Sequence, residues 1–155
     1  MKDKLLSKQG WVILLICIIS FFINNRVVVP DIMEARNMVT AREMVHDGNW
    51  LVPTMNGDLR LEKPPLPTWL TAVAEMISPD NLALQRAMAG FAAILLVAFF
   101  YLTAVQVMRN KRYAFISTIL LCTCYNIILM GRTASWDIYC HAFMMGAIYF
   151  LIRAF

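Results

Sequence analysis

The chain alternates between long apolar runs and one extended polar stretch, and this pattern predicts where it crosses a membrane. The first apolar run is Trp11 to Ile23, preceded by Lys2, Lys4 and Lys8. No small-residue cleavage site follows it, only Asn24-Asn25-Arg26, three valines and Pro30, so it reads as an uncleaved signal anchor. With its polar flanks the segment from about 8 to 28 is long enough to cross a hydrocarbon core of ~30 Å at ~1.5 Å per residue. Further runs predict spans at about 82–108, 113–131 and 138–155, the last still apolar where the chain stops, which suggests a truncated sequence whose C-terminal remainder is absent.

The charges orient this threading. Arg109-Asn110-Lys111-Arg112 is a tight basic hinge between two spans and is expected on the cytoplasmic side. The N-terminus is then cytoplasmic, residues 29–81 form a long first extracytoplasmic loop, and the Arg132 to Asp137 turn shares that outer face. The fold class predicted is all-α, a polytopic helical membrane protein with an amphipathic juxtamembrane helix in its first loop.

Composition agrees. Of 155 residues, 60% are hydrophobic, and mean hydropathy is +0.62, more apolar content than a soluble domain can bury. The net charge of +4 resides mostly at span ends, where membrane anchoring accounts for it, so nucleic acid is set aside as a partner and membrane lipids take its place. The four cysteines lie in or beside apolar runs, and Cys122 and Cys124 diverge by roughly 200° on a helix, which makes them packing residues rather than a metal or redox pair. His46 and His141 are isolated, and no metal site is assigned.

The loop carries the candidate chemistry. Asp31 is a plausible N-cap with Glu34 at capping-box spacing and Gly48 as terminator, and Met38, Ala41 and Val45 form the apolar stripe of a surface-lying helix. Asn56-Gly57 marks a turn. Leu61-Glu62-Lys63-Pro64-Pro65-Leu66-Pro67 then places a charged pair beside three prolines, which predicts a stiff, extended backbone. Transfer of a glycosyl group from a polyprenyl phosphate needs a cation for the departing phosphate and a carboxylate for the acceptor hydroxyl. Lys63 can supply the first, and Glu34, Asp31 or Asp137 the second; capping by Asp31 and Glu34 and a surface ion pair of Glu62 with Lys63 are equally adequate structural explanations.

The ordered series Glu34-Ala35-Arg36-Asn37, Ala41-Arg42-Glu43-Met44, Gly48-Asn49-Trp50-Leu51-Val52-Pro53, Asn56-Gly57 and Leu61-Glu62-Lys63-Pro64-Pro65-Leu66 with Trp69 resembles the first loop of a bacterial GT-C family. That family includes lipid A aminoarabinose transferases and protein O-mannosyltransferase-like enzymes. Gln85-Arg86, Gly131-Arg132, Ala134 and Asp137 continue the resemblance over nearly the whole chain. It implies a glycosyltransferase that moves a sugar from a polyprenyl-phosphate donor to lipid A, a glycan or a protein at the outer face of the bacterial inner membrane. It further implies Glu34, Asp31 and Asp137 as catalytic carboxylates, although Met33-Glu34 stands where the family often has Asp-Glu. It implies Glu62 and Lys63 as substrate-binding residues that line the donor-phosphate site; Arg36 is a further candidate contact to phosphate, with a snorkelling interfacial anchor as its alternative reading. No cofactor is required by these residues, and a divalent metal is left open, with Asp31, Glu34, Asp137 and the two histidines as the ligands on offer. The alternative class is a transporter or flippase fragment, which would concentrate charge inside its spans.

Overall fold

The computed structural model describes residues 8–155, so Lys2 and Lys4 of the basic flank lie outside the described residues. The first apolar run folds as α1 (Lys8–Phe22), which ends before Asn24, a residue in the left-handed region at φ 57°. Its Ile13, Cys17 and Phe21 recur every four residues and are buried. Trp11, Leu15, Ile18 and Ile19 on its other faces are exposed, the all-round apolar pattern of a helix in an apolar solvent.

The expected loop contains more regular structure than its prolines suggest. α2 (Ile32–Asp47) leads to a short hairpin, β1 (Thr54–Met55) and β2 (Asp58–Leu59), and then to α3 (Pro65–Ile77). Asn56 and Gly57 both have positive φ, 56° and 82°, as a type I′ hairpin turn requires. Glu43 of α2 holds this hairpin, accepting from Thr54 Oγ1 at 2.6 Å and from the Asn56 amide at 2.5 Å. The proline-rich stretch is extended only as far as Pro64. Pro65 and Pro67 start a helix, because the first helical turn is where a missing N–H costs nothing. α2 packs on α3 through Ala41, Met44 and Ala72, with Val45, Trp50 and Trp69 around them.

The expected apolar stripe of α2 is rotated. Its buried face runs through Glu34, Asn37, Ala41 and Met44. Only Ala41 belongs to both sets, since polar residues of the first turns are drawn inward by buried partners described below.

α4 (Leu82–Met108) is the central helix, capped by Asn81, whose side chain accepts from the Leu84 amide. It is the one described helix long and apolar enough by itself to cross a membrane. The predicted span 113–131 is two helices, α5 (Lys111–Cys122) and α6 (Tyr125–Gly131), bent by 64° at Thr123-Cys124. The Thr123 amide still donates to the Ile119 carbonyl, and its hydroxyl donates to the Ile119 and Leu120 carbonyls, giving Leu120 a partner where the break removes its helical one. α7 (Asp137–Ala154) returns along α4. Small residues set these approaches: a Cβ at Gly131 would sit 2.7 Å from Phe21 Cδ1, and one at Gly146 would sit 2.9 Å from Phe99 Cε2. Cys17 and Cys122 meet in this core with their sulfurs 3.8 Å apart as free thiols, beside Phe21, Ala93, Ile138 and Ala142.

Candidate functional site

The loop elements and the α6–α7 turn converge on one end of the helical bundle, and the linchpin is Glu34. Its side chain is 0% exposed. Oε1 accepts from Arg86 Nε at 2.7 Å and from the Ala134 amide at 2.8 Å, and Oε2 accepts from Arg86 Nη2 at 2.7 Å. Arg86, 1% exposed, also donates to the Asn25 carbonyl. One carboxylate thereby ties α2 to α4, and through Arg86 to the end of the α1 segment. Charge-assisted, bidentate bonds of this kind are the ones able to offset the cost of burying both ions.

The capping box is not formed. Asp31 caps α2 as expected, accepting from the Glu34 amide at 2.7 Å. The Glu34 side chain turns away from the Asp31 amide toward Arg86, because a buried guanidinium is a stronger partner than a solvated backbone N–H. Asp31→Asn is expected to leave stability nearly unchanged, while Asp31→Ala should cost about 0.5–2 kcal/mol, read by thermal unfolding; equal losses in both would remove capping as its role.

Asn37, one turn after Glu34, completes the brace. Its amide donates to the Ala134 carbonyl at 2.7 Å and to Thr71 Oγ1 at 3.0 Å, and its oxygen accepts from Thr68 Oγ1 at 2.8 Å. Residue 134 is therefore held at its N–H by Glu34 and at its C=O by Asn37. This fixes the turn that delivers Trp136 and Asp137 to the start of α7.

Against that turn stand the cations of the loop. Arg60 lies 5.2 Å and Lys63 Nζ 5.4 Å from the centroid of the Trp136 ring. Arg60 is 6% exposed, and its Nη1 donates to the Arg36 carbonyl at 2.7 Å and to Thr40 Oγ1 at 2.9 Å. Burial lowers its pKa from the ordinary guanidinium range; Glu62 opposes the shift and Arg36 adds to it. Lys63, Glu62, Asp31, Arg36 and Asp137 are exposed.

A cleft of about 200 Å³ opens beside this platform, lined by Arg36, Met55, Asn56, Asp58, Arg60 and Glu62 among others. The structure thus brings Arg36, Glu62 and Lys63 together around Arg60 and Trp136, with Asp137 next in the chain. It sets Glu34 behind them and gives Asp31 no contact with the cleft. The surface ion pair of Glu62 with Lys63 is not formed: among the described residues, the ion pairs are Arg42 with Glu75 and Asp80, His46 with Asp47, and Arg86 with Glu34.

Asn37, Arg60 and Trp136 stand outside the residues singled out in the sequence as candidate site residues, and Arg86 acts as a brace through Glu34 and the Asn25 carbonyl. Arg132 acts similarly, donating to the Ile23 carbonyl. The one available signal for Trp136 was an aromatic side chain immediately before a candidate carboxylate. Among the described residues no group of three or more His, Cys, Asp or Glu side chains gathers to hold a metal ion. The exposed His46 is bonded to Asp47 at 2.6 Å, which raises its pKa, and His141 lines an apolar groove with Phe100 and Met144.

Taken together, the apolar bundle and the braced loop at one end of it define a helical membrane protein of GT-C architecture. Residues 10–155 match the family described as dolichyl-phosphate-mannose-protein mannosyltransferase, and the chain belongs to that family. Among curated proteins it is similar to an undecaprenyl phosphate-α-4-amino-4-deoxy-L-arabinose arabinosyl transferase of Pseudomonas savastanoi pv. phaseolicola, at 34% identity over 59% of this chain and 17% of the relative. A protein of the same name from Shewanella sediminis is 31% identical over 70% of this chain and 19% of the relative. The fold resembles the crystal structure of ArnT from Cupriavidus metallidurans bound to undecaprenyl phosphate, with TM-score 0.76 and 20% identity over 94% of this chain and 27% of that one. The chain spans about a fifth of the length of these curated relatives.

Proposed function

We propose that this chain forms the donor-phosphate end of a glycosyltransferase that moves a sugar from a polyprenyl-phosphate donor to a hydroxyl of lipid A, another glycan or a protein. The observation that carries the reading is the exposed ammonium of Lys63 over Trp136, one residue before the exposed carboxylate of Asp137. Cation and carboxylate are the two groups that the reaction needs. From its relatives' names the proposal takes the polyprenyl phosphate as the shared donor feature and assigns no sugar.

In the transfer, the acceptor hydroxyl oxygen bonds to the anomeric carbon while the bond from that carbon to the phosphate oxygen breaks. The electron pair leaves with the phosphate, whose growing charge Lys63 stabilises, and the hydroxyl proton passes to a carboxylate. We assign that proton to Asp137. Glu34 already has both oxygens engaged by Arg86 and the Ala134 amide, and Asp31 has one engaged in its cap. Glu34 then acts by holding residue 134, and so the turn, in place. A transporter reading has less support, because the only charged residue of α4 is Arg86, which is paired.

The proposal includes a multi-pass path in a bacterial inner membrane with the N-terminus cytoplasmic, supported by the basic hinge at Arg109 to Arg112. Reporter fusions test it in membranes carrying the full-length protein. A fusion at Gly57 should be active as an extracytoplasmic reporter and one at Lys111 as a cytoplasmic reporter. Cytoplasmic activity at Gly57 would place the site on the wrong side for a donor presented outside.

A further inference from the structure

Two hydrogen-bond donors of the cationic platform are buried without an acceptor among the described residues: Arg60 Nη2 and Trp136 Nε1. An unpaired buried donor costs about 1–3 kcal/mol, and a bound anion is one of the partners that offset that cost. Here both belong to one stack, since the guanidinium of Arg60 lies 5.2 Å from the centre of the indole. Arg60 is held there by its other nitrogen, which is fastened to the Arg36 carbonyl and Thr40 of α2, and by its own amide, which donates to the Pro53 carbonyl at 2.8 Å. The side chain is therefore fixed before any ligand arrives.

The surroundings select the sign of that ligand. Lys63 Nζ sits over the same indole. α7, which begins at Asp137, has no side-chain cap at its N-terminus, so its first-turn amides add partial positive charge, whereas α3 adds little because Pro65 and Pro67 lack an N–H. Asp58 and Glu62 line the neighbouring cleft and Asp137 follows Trp136 in the chain, while Lys63 and Arg60 bring two cations to the indole itself.

We propose that Arg60 Nη2 and Trp136 Nε1 form the floor of a phosphate subsite, in which they bind non-bridging oxygens of a phosphate ester whose charge is also met by Lys63. The subsite rests on the glycosyltransferase reading for its substrate and extends it to two residues that hold the phosphate rather than stabilise its departure. Arg60 and Trp136 should consequently govern donor binding, seen in KM, more than kcat. The ester reaches them past Lys63, the exposed member of the stack.

Trp136→Phe isolates the idea, because it keeps a ring beneath both cations and deletes only the N–H donor and part of the ring. In the purified full-length protein, binding of undecaprenyl phosphate in detergent micelles should weaken on the order of ten-fold, with the thermal unfolding midpoint close to that of the unaltered protein. Arg60→Lys, which keeps the charge but loses the fork, should weaken it similarly. Competition separates the two sources of phosphate. Displacement of the lipid by millimolar inorganic phosphate, lost in Trp136→Phe, would assign the subsite to the phosphate group itself. Displacement only by unlabelled undecaprenyl phosphate, again weakened in the variant, would assign it to the lipid headgroup. Unaltered lipid binding by folded Trp136→Phe and Arg60→Lys would overturn the subsite. Loss of transfer in Lys63→Met alongside that result would leave the glycosyltransferase reading standing without it, whereas weakened binding in Trp136→Phe with normal transfer in Lys63→Met would do the reverse.

Discussion

Arg86→Met is expected to destabilise the fold by about 3–5 kcal/mol, the cost of breaking a buried ion pair by removing one partner. The variant leaves the Glu34 carboxylate in the interior with one remaining donor, the Ala134 amide. The Asn25 carbonyl also loses its guanidinium donor. Thermal unfolding of the purified protein, with abundance in the membrane as a second reading, measures the effect. Glu34→Met combined with Arg86→Met should recover much of the loss, because two apolar side chains of similar volume no longer carry an uncompensated charge. What the double variant does not restore is the acceptor for residue 134, so the turn carrying Trp136 and Asp137 should be less well held. Transfer should therefore stay depressed while stability returns. An Arg86→Met protein with an unchanged unfolding midpoint would show that the pair is not the brace inferred from its geometry.

Lys63→Met is expected to lower sugar transfer by about 10²–10³-fold in the full-length protein, by analogy with removal of one preorganised donor from a developing oxyanion. The substitution spares the fold for a visible reason. Lys63 is exposed, makes no ion pair among the described residues, and brings its ammonium over Trp136, a face that a methionine side chain can also cover. Stability and rate thus separate in this variant where they are entangled in Arg86→Met. Initial rates at saturating donor, in membranes matched for protein, read the loss. Near-normal transfer by a well-folded Lys63→Met protein would remove Lys63 from the chemistry and leave Arg60 as the nearest cation.

The helical membrane class, the long apolar helix at 82–108 and the polar segment beside it are legible in the sequence by itself, because a hydrocarbon core about 30 Å thick demands an apolar run of about 20 residues or more. The same holds for local devices whose partners lie within a few residues: the Asp31 cap, the left-handed Gly48 and the Asn56-Gly57 turn are all formed where their residue types require. The break in the third run is harder to read. It holds Ser117, Thr118, Thr123 and Asn126, and Thr118 bonds back to the Ala114 carbonyl inside the helix as Thr123 does to Ile119 at its end, so no residue type marks the break.

Tertiary structure alone decided the roles of the charged residues. Glu34 has the spacing of a capping box, but its partners are 52 and 100 positions away, at Arg86 and Ala134, and no local rule weighs a bond to a distant guanidinium against one to a nearby amide. The buried face of α2 turned for the same reason, since Glu34 and Asn37 are apolar-face residues only where buried partners receive them. Arg60 and Trp136 carry no motif at all. They come into contact because the hairpin, α2 and the α6–α7 turn meet there, and the pairing of groups remote in sequence is settled by packing geometry, which the periodicity of a single segment does not contain.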